Sequence, residues 1–285
     1  MSPSTKAGAY AKAAQLPDDV REATGDLVLV LADNKRVLGM RYSDWILGAP
    51  SVEAGIACSA MAQDEWGHSR ILYAMLRDFG LDPGGLEHDR DSAEYRNSEL
   101  IDSPTDGWPT LLALNLLLDT ALSIQFDALG ASRFEPLHYK VRKLLEEERF
   151  HFEHARGWVT RLCSTEAGRD AIRTAFEPVW VACLRWFGPE DDPLGVALAS
   201  GEITDAGPDE LRQRWLGRVG PVVHEAGLGL AQPAGDSWSS TLAVEWDDWD
   251  SRARRPARNA GASSGPDAAT LASVRGDKNR SMLLD

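Results

Sequence analysis

The sequence predicts an all-α protein: a bundle of long helices, followed by additional C-terminal helices and an extended tail. Three observations lead there. Apolar residues recur three and four apart over long stretches, no segment alternates with a period of two for long enough to make a sheet, and breaks rich in Gly, Pro and Ser separate the helical runs. The predicted organisation is an N-terminal arm (1–17), a helical domain (18–230) and a flexible or partner-docking tail (231–285).

The first helix spans "LPDDVREATGDLVLVLADNKRVLGMRYSDWILG", capped by Asp18 or Asp19 and ended by "GAP". Ser51 caps a second helix that runs to about Phe79. Residues 81–107, rich in Asp, Gly, Ser and Pro, read as a long connection. A third helix starts between Trp108 and Thr110 and continues through "LLALNLLLDTALSIQFDALG". A fourth runs from Pro136, a favourable first-turn position, to about Leu162. Ser164 caps a fifth, and a sixth, "PDELRQRWLGRVGPVVHEAG", carries Pro221, which is expected to kink or break it. Beyond residue 230 the composition shifts to Ser, Gly, Ala, Pro and charge. There Trp246 and Trp249 are the candidates for docking on a partner.

With 44 acidic and 30 basic residues the net charge is −14, which argues against nucleic acid or an anionic membrane as a partner. The start of the chain shows no signal-peptide core, and the runs "LVLVLA" and "LLALNLLL" are too short to span a bilayer, so the expected location is cytoplasmic. Cys58, Cys163 and Cys183 lack the paired spacing of a zinc or redox site and read as reduced core residues.

The chemistry lies in a repeated motif. "QDEWGH" in the second helix and "EEERFH" in the fourth each hold Glu-x-x-His, as Glu65/His68 and Glu148/His151. Residues three apart on a helix lie roughly 60° apart around its axis and about 4.5 Å along it, so each pair faces one point. Two such helices, each preceded by a partner helix, present the ligand set of carboxylate-bridged di-iron bundles, which also take one carboxylate from each partner. On the third helix Asp119 stands 29 residues before Glu148, inside the apolar run "LLLDTAL" where an unpaired carboxylate is costly. On the first helix Asp33 stands 32 before Glu65, with Lys35 and Arg36 close by as possible pairing cations. The expected ligands are therefore Asp33, Glu65, His68, Asp119, Glu148 and His151. Carboxylates with a few imidazoles suit iron better than structural zinc, so the expected cofactor is a pair of bridged iron ions. Asp64, Glu147, His154 and Arg36 are candidates for the surrounding shell that orients the ligands.

On these residues the chain resembles the phenylacetate-catabolism family of ferritin-like proteins, the catalytic and structural subunits of phenylacetyl-CoA epoxidase, over roughly residues 18–230. "QDEWGH", "EEERFH" and "LLLDTALSIQ" are similar to the catalytic subunit's motifs; "LADN", "RYSDW", "GAPSVE" and "RGWVTRL" are closer to the structural subunit. Aligned through the "GM" of "VLGM", Arg36 falls where the catalytic subunit has a first-helix Glu, and an Arg cannot ligate iron. The resemblance implies a ferritin-like four-helix bundle and a multicomponent monooxygenase. Such an enzyme oxygenates an aromatic acyl-CoA with electrons from a separate reductase, as a homo- or hetero-oligomer with a related helical subunit. The alternative is a non-catalytic structural subunit in which Lys35 and Arg36 fill the site with salt bridges; iron storage on the same fold is a third reading.

Overall fold

The computed structural model describes residues 8–258 and 265–275. Four long rods form the body: α1 (Asp18–Ser43), α2 (Val52–Met75), a third rod made of α4 (Trp108–Ala113), a π-helical turn (Leu114–Leu118) and α5 (Asp119–Leu129), and α6 (Glu135–Leu162). A short α3 (Pro83–His88) lies in the connection between the second and third rods, so this is the ferritin-like bundle of two helix pairs. On it pack α7 (Glu166–Trp186), α8 (Pro193–Ser200), α9 (Pro208–Glu225) and α10 (Ala268–Arg275).

Local chemistry explains most boundaries. The Ser51 hydroxyl accepts from the Ala54 amide at the start of α2. Asp18 and Asp19 sit inside the first turn of α1, favourable for the helix dipole, while Pro17 takes the cap position expected of them. Thr165, one residue after the expected Ser164, caps α7. Helix α9 continues through Pro221, because one missing amide bond is tolerated where the flanking turns are packed. Two antiparallel hairpins, β1 (Ala231–Ala234) with β2 (Ser237–Ser240) and β3 (Trp249–Asp250) with β4 (Arg255–Pro256), are too short to have left a period-two signal.

Helix α1 is buried on every side from Leu27 to Tyr42, against α2, α8, α10 and the 90–102 connection. Gly39 permits its close approach to α2: a Cβ there would lie 2.5 Å from the Trp66 indole nitrogen. Encirclement forces each charge on this stretch of α1 to find a partner. Asp33 and Lys35 are fully buried, Arg41 nearly so, and Arg36 binds Glu87 and the Val274 carbonyl.

The third rod is, by length and composition, apolar enough to cross a bilayer, and so longer than the "LLALNLLL" run suggests. However, 83% of its apolar window is buried inside the protein, as befits a core helix.

Residues 231–258 and 265–275 of the expected tail pack on the bundle; the remainder of that tail, and residues 1–7 of the expected arm, lie outside the described residues. Trp238 of the first hairpin lies over Gly220 of α9, where a Cβ would come within 2.8 Å of the ring. Trp249 donates to Asp192, and the buried Arg254 binds Asp192 and the carbonyls of Trp186 and Phe187. Trp246 and Trp249 thus dock within their own chain. Arg254→Ala, which leaves the Asp192 carboxylate without its cation, should speed proteolytic cleavage between residues 241 and 253 while α1–α6 resist; unchanged cleavage would show that the contact does not hold the arm.

Candidate metal centre

Five of the six expected ligands converge between the rods, and a lysine lies among them. Lys35 Nζ of α1 is 3.0 Å from Glu65 Oε1, 2.5 Å from Asp119 Oδ1 and 2.5 Å from Glu148 Oε1. One ammonium therefore ties α1 to α2, α5 and α6, with its side chain wholly buried and 5.7 Å from the centre of the Phe126 ring.

The two imidazoles close the ends. His151 Nδ1 lies 2.9 Å from Asp119 Oδ2 and 3.4 Å from Glu65 Oε1, and its Nε2 lies 3.3 Å from Asp64 Oδ2. His68 Nδ1 is 3.1 Å from Glu148 Oε1 and its Nε2 is 2.7 Å from Glu147 Oε2. Asp64 and Glu147 thus each hold the outer nitrogen of one imidazole, the arrangement by which carboxylates orient metal-binding histidines. Tyr42, two turns after Lys35 on the same face of α1, donates to Asp119 Oδ2 at 2.9 Å. Asn115, in the π-helical turn, donates to the Tyr42 hydroxyl, and its carbonyl oxygen lies 3.2 Å from His154 Nδ1. His154 is therefore three hydrogen bonds removed from Asp119. The extra residue of a π-turn rotates the next stretch of helix about its axis, and Asp119 is the first residue of that stretch.

Proximity shapes the titration of these groups. Burial pushes the Glu65 carboxyl up to about 7, Asp119 adds to the rise and Lys35 opposes it. Burial would also raise Asp119, yet Lys35 and His151 hold it well below the ordinary carboxylate range. Burial works against the charged form of Lys35, but Asp119, Glu148 and Glu65 outweigh it and hold the ammonium well above its usual value. His151 is likewise raised against burial by Asp119 and Asp64, and His68 by Glu148. Lys35, Asp119 and His151 are thus held in their charged forms, while Glu65 changes protonation near neutrality.

Asp33 is not in it. Two residues before Lys35 it projects about 200° around the helix, so only one of the two can face Glu65. It receives both terminal nitrogens of Arg90, the Tyr73 hydroxyl at 2.6 Å and the Arg96 amide at 2.8 Å. Arg36 also faces outward, toward Glu87, and plugs nothing. Arg90 and Tyr73 left no mark in the sequence beyond their residue types.

Glu65, Asp119, Glu148 and His151 offer ligand atoms within 4.8 Å of one another, and their chemistry is that of a site for a divalent cation. A pair of irons does not fit the side chains as arranged. The architecture needs a carboxylate from each partner helix, and α1 supplies an ammonium seated between the three carboxylates instead.

The chain is 26% identical over 204 residues to one subunit of the 1,2-phenylacetyl-CoA epoxidase of Escherichia coli (strain K12), covering 70% of this chain and 66%, just under two thirds, of that one. It is 28% identical over 207 residues to a second, different subunit of the same epoxidase, covering 72% of this chain and 82% of that one. The pattern of the family described as Phenylacetic acid catabolic protein matches residues 7–241, and the chain belongs to that family.

Proposed function

We propose that this chain is a cytoplasmic subunit of a multi-subunit oxygenase of the phenylacetyl-CoA epoxidase type, and that within it the chain is a non-oxygenating partner. A related helical subunit carries the irons, binds the aromatic acyl-CoA and receives electrons from a separate reductase. Lys35 carries this reading. An ammonium already sits in contact with all three buried carboxylates, with His151 and His68 beside them, and its side chain is fully buried. Similarity to two different subunits of one epoxidase supports membership of such an assembly.

The presence of Asp64 and Glu147 behind the two imidazoles favours a second reading, an iron-loaded oxygenase in which Lys35 leaves its place. Elemental analysis separates the two. The full chain, expressed with ample iron and purified without chelator, should carry no stoichiometric iron, and should co-purify with a metal-bearing homologue when the two are expressed together. Two irons per chain would overturn the proposal in favour of the second reading.

A further inference from the structure

We propose that the cluster is a latent site for a divalent transition-metal cation, closed by a single side chain, so that loss of the Lys35 ammonium is sufficient to open it. The inference rests on the reading of Lys35 as the resident cation and adds that nothing else in the cluster needs to change.

The donors are already assembled. Glu65, Asp119 and Glu148 each direct one oxygen at the Nζ position from three different helices, and His151 Nδ1 stands beside two of them. The second oxygen of Glu65 is buried without a hydrogen-bond partner, a spare acceptor beside the cluster. Asp64 and Glu147 hold the outer nitrogens of His151 and His68, leaving each Nδ1 turned toward the carboxylates. The ammonium stands 2.5–3.0 Å from its oxygens. A metal takes carboxylate oxygens at about 2.0–2.2 Å, so Asp119 and Glu148 need to close inward by about 0.4 Å and Glu65 by about 0.9 Å. Lys35 and a metal cannot share the position, because the ammonium is a donor with no lone pair and occupies the point on which the oxygens converge.

Occupancy of a position by an ammonium rather than a metal also differs in what it demands of the rest of the chain. A covalently attached cation is present whatever the metal supply, whereas a free cation stabilises the fold only through its concentration. The native protein should therefore be indifferent to metals, and a Lys35 variant should become dependent on them.

The test uses the full-length protein with Co(II), whose absorption reports its coordination. Lys35→Ala and Lys35→Gln are prepared alongside the native chain, and Co(II) stoichiometry, visible absorption and melting temperature are followed. The native chain should bind no Co(II) in the cluster and show an unchanged melting temperature. Each variant should bind at least one Co(II) per chain and melt higher with Co(II) than in chelator, and adding Asp119→Ala to either should abolish both gains. A folded variant that takes up no Co(II) would overturn the inference, as would variants that stay unfolded when refolded with Co(II). Uptake of metal in the cluster by the native chain would overturn both the inference and the functional reading, whereas failure of the variants alone overturns only the inference, which keeps the two failures distinct.

Discussion

Lys35→Met in chelator should be less stable than the native chain by about 3–5 kcal/mol, the usual cost of removing one partner from a buried ion-pair network. For a domain of this size that corresponds to a fall in melting temperature of roughly 10 °C. The reason is the count of charges left behind. Methionine fills nearly the same volume, so packing changes little, but Glu65, Asp119 and Glu148 then face one another with no ammonium between them. Part of the cost is relieved by protonation, most readily on Glu65, whose carboxyl already stands near pH 7. The Lys35→Met chain should consequently recover stability as the pH is lowered toward 5, where an extra proton removes the repulsion. Calorimetry at pH 8 and pH 5 checks both statements. A loss below about 1 kcal/mol at pH 8 would place the ammonium among weak, solvated pairs and remove the basis for a closed cluster.

Spacing carried the sequence a long way toward this cluster and then failed by two residues. Glu-x-x-His occurs at Glu65/His68 in α2 and at Glu148/His151 in α6, with a third copy, Glu135/His138, at the start of α6, and i,i+3 geometry brings the first two pairs to one region. On α1 the same reasoning weighed residue types above register. Asp119 precedes Glu148 by 29 residues; the same interval before Glu65 ends at Arg36, next to Lys35, while Asp33 is 32 away. Preferring the carboxylate meant accepting a position on the opposite face of the helix. A reading of residue type alone is defeated by the burial of α1 on all sides, because apolar residues around the whole circumference leave no stripe to show which face meets α2.

The remaining differences have similar causes. Helix α8 is short and lies between glycine and proline, so it gave no periodic signal, and the π-turn before Asp119 depends on tertiary packing that no local propensity reveals. The tail's composition reads as flexible because its anchors are polar groups whose partners lie far away in the chain. Arg254 and Trp249 meet Asp192, Arg252 meets Asp26 and Arg255 meets the Asn97 carbonyl. Such contacts outweigh a polar composition, yet no local pattern in the sequence announces them.

Arg90→Met should cost about 3–5 kcal/mol as well, for a reason independent of the metal-like cluster. Asp33 is fully buried, and with Arg90 removed it keeps only the Tyr73 hydroxyl and the Arg96 amide. Its charge then lacks a counter-ion within the core. Arg90 also lies 4.1 Å from the centre of the Tyr95 ring and donates to the Leu86 carbonyl, so its loss should loosen residues 86–96 and expose them to protease before the bundle melts. Asp33→Asn in the same chain should restore part of the stability, since an amide needs no cation. That rescue separates an ion pair from mere packing: if Arg90→Met and Arg90→Met/Asp33→Asn melt at the same temperature, the carboxylate is not what the arginine serves. Neither change should affect Co(II) uptake by a Lys35→Ala chain, because Asp33 and Lys35 leave α1 in opposite directions. Loss of uptake with Asp33→Asn would mean that the carboxylate swings inward once the ammonium has gone.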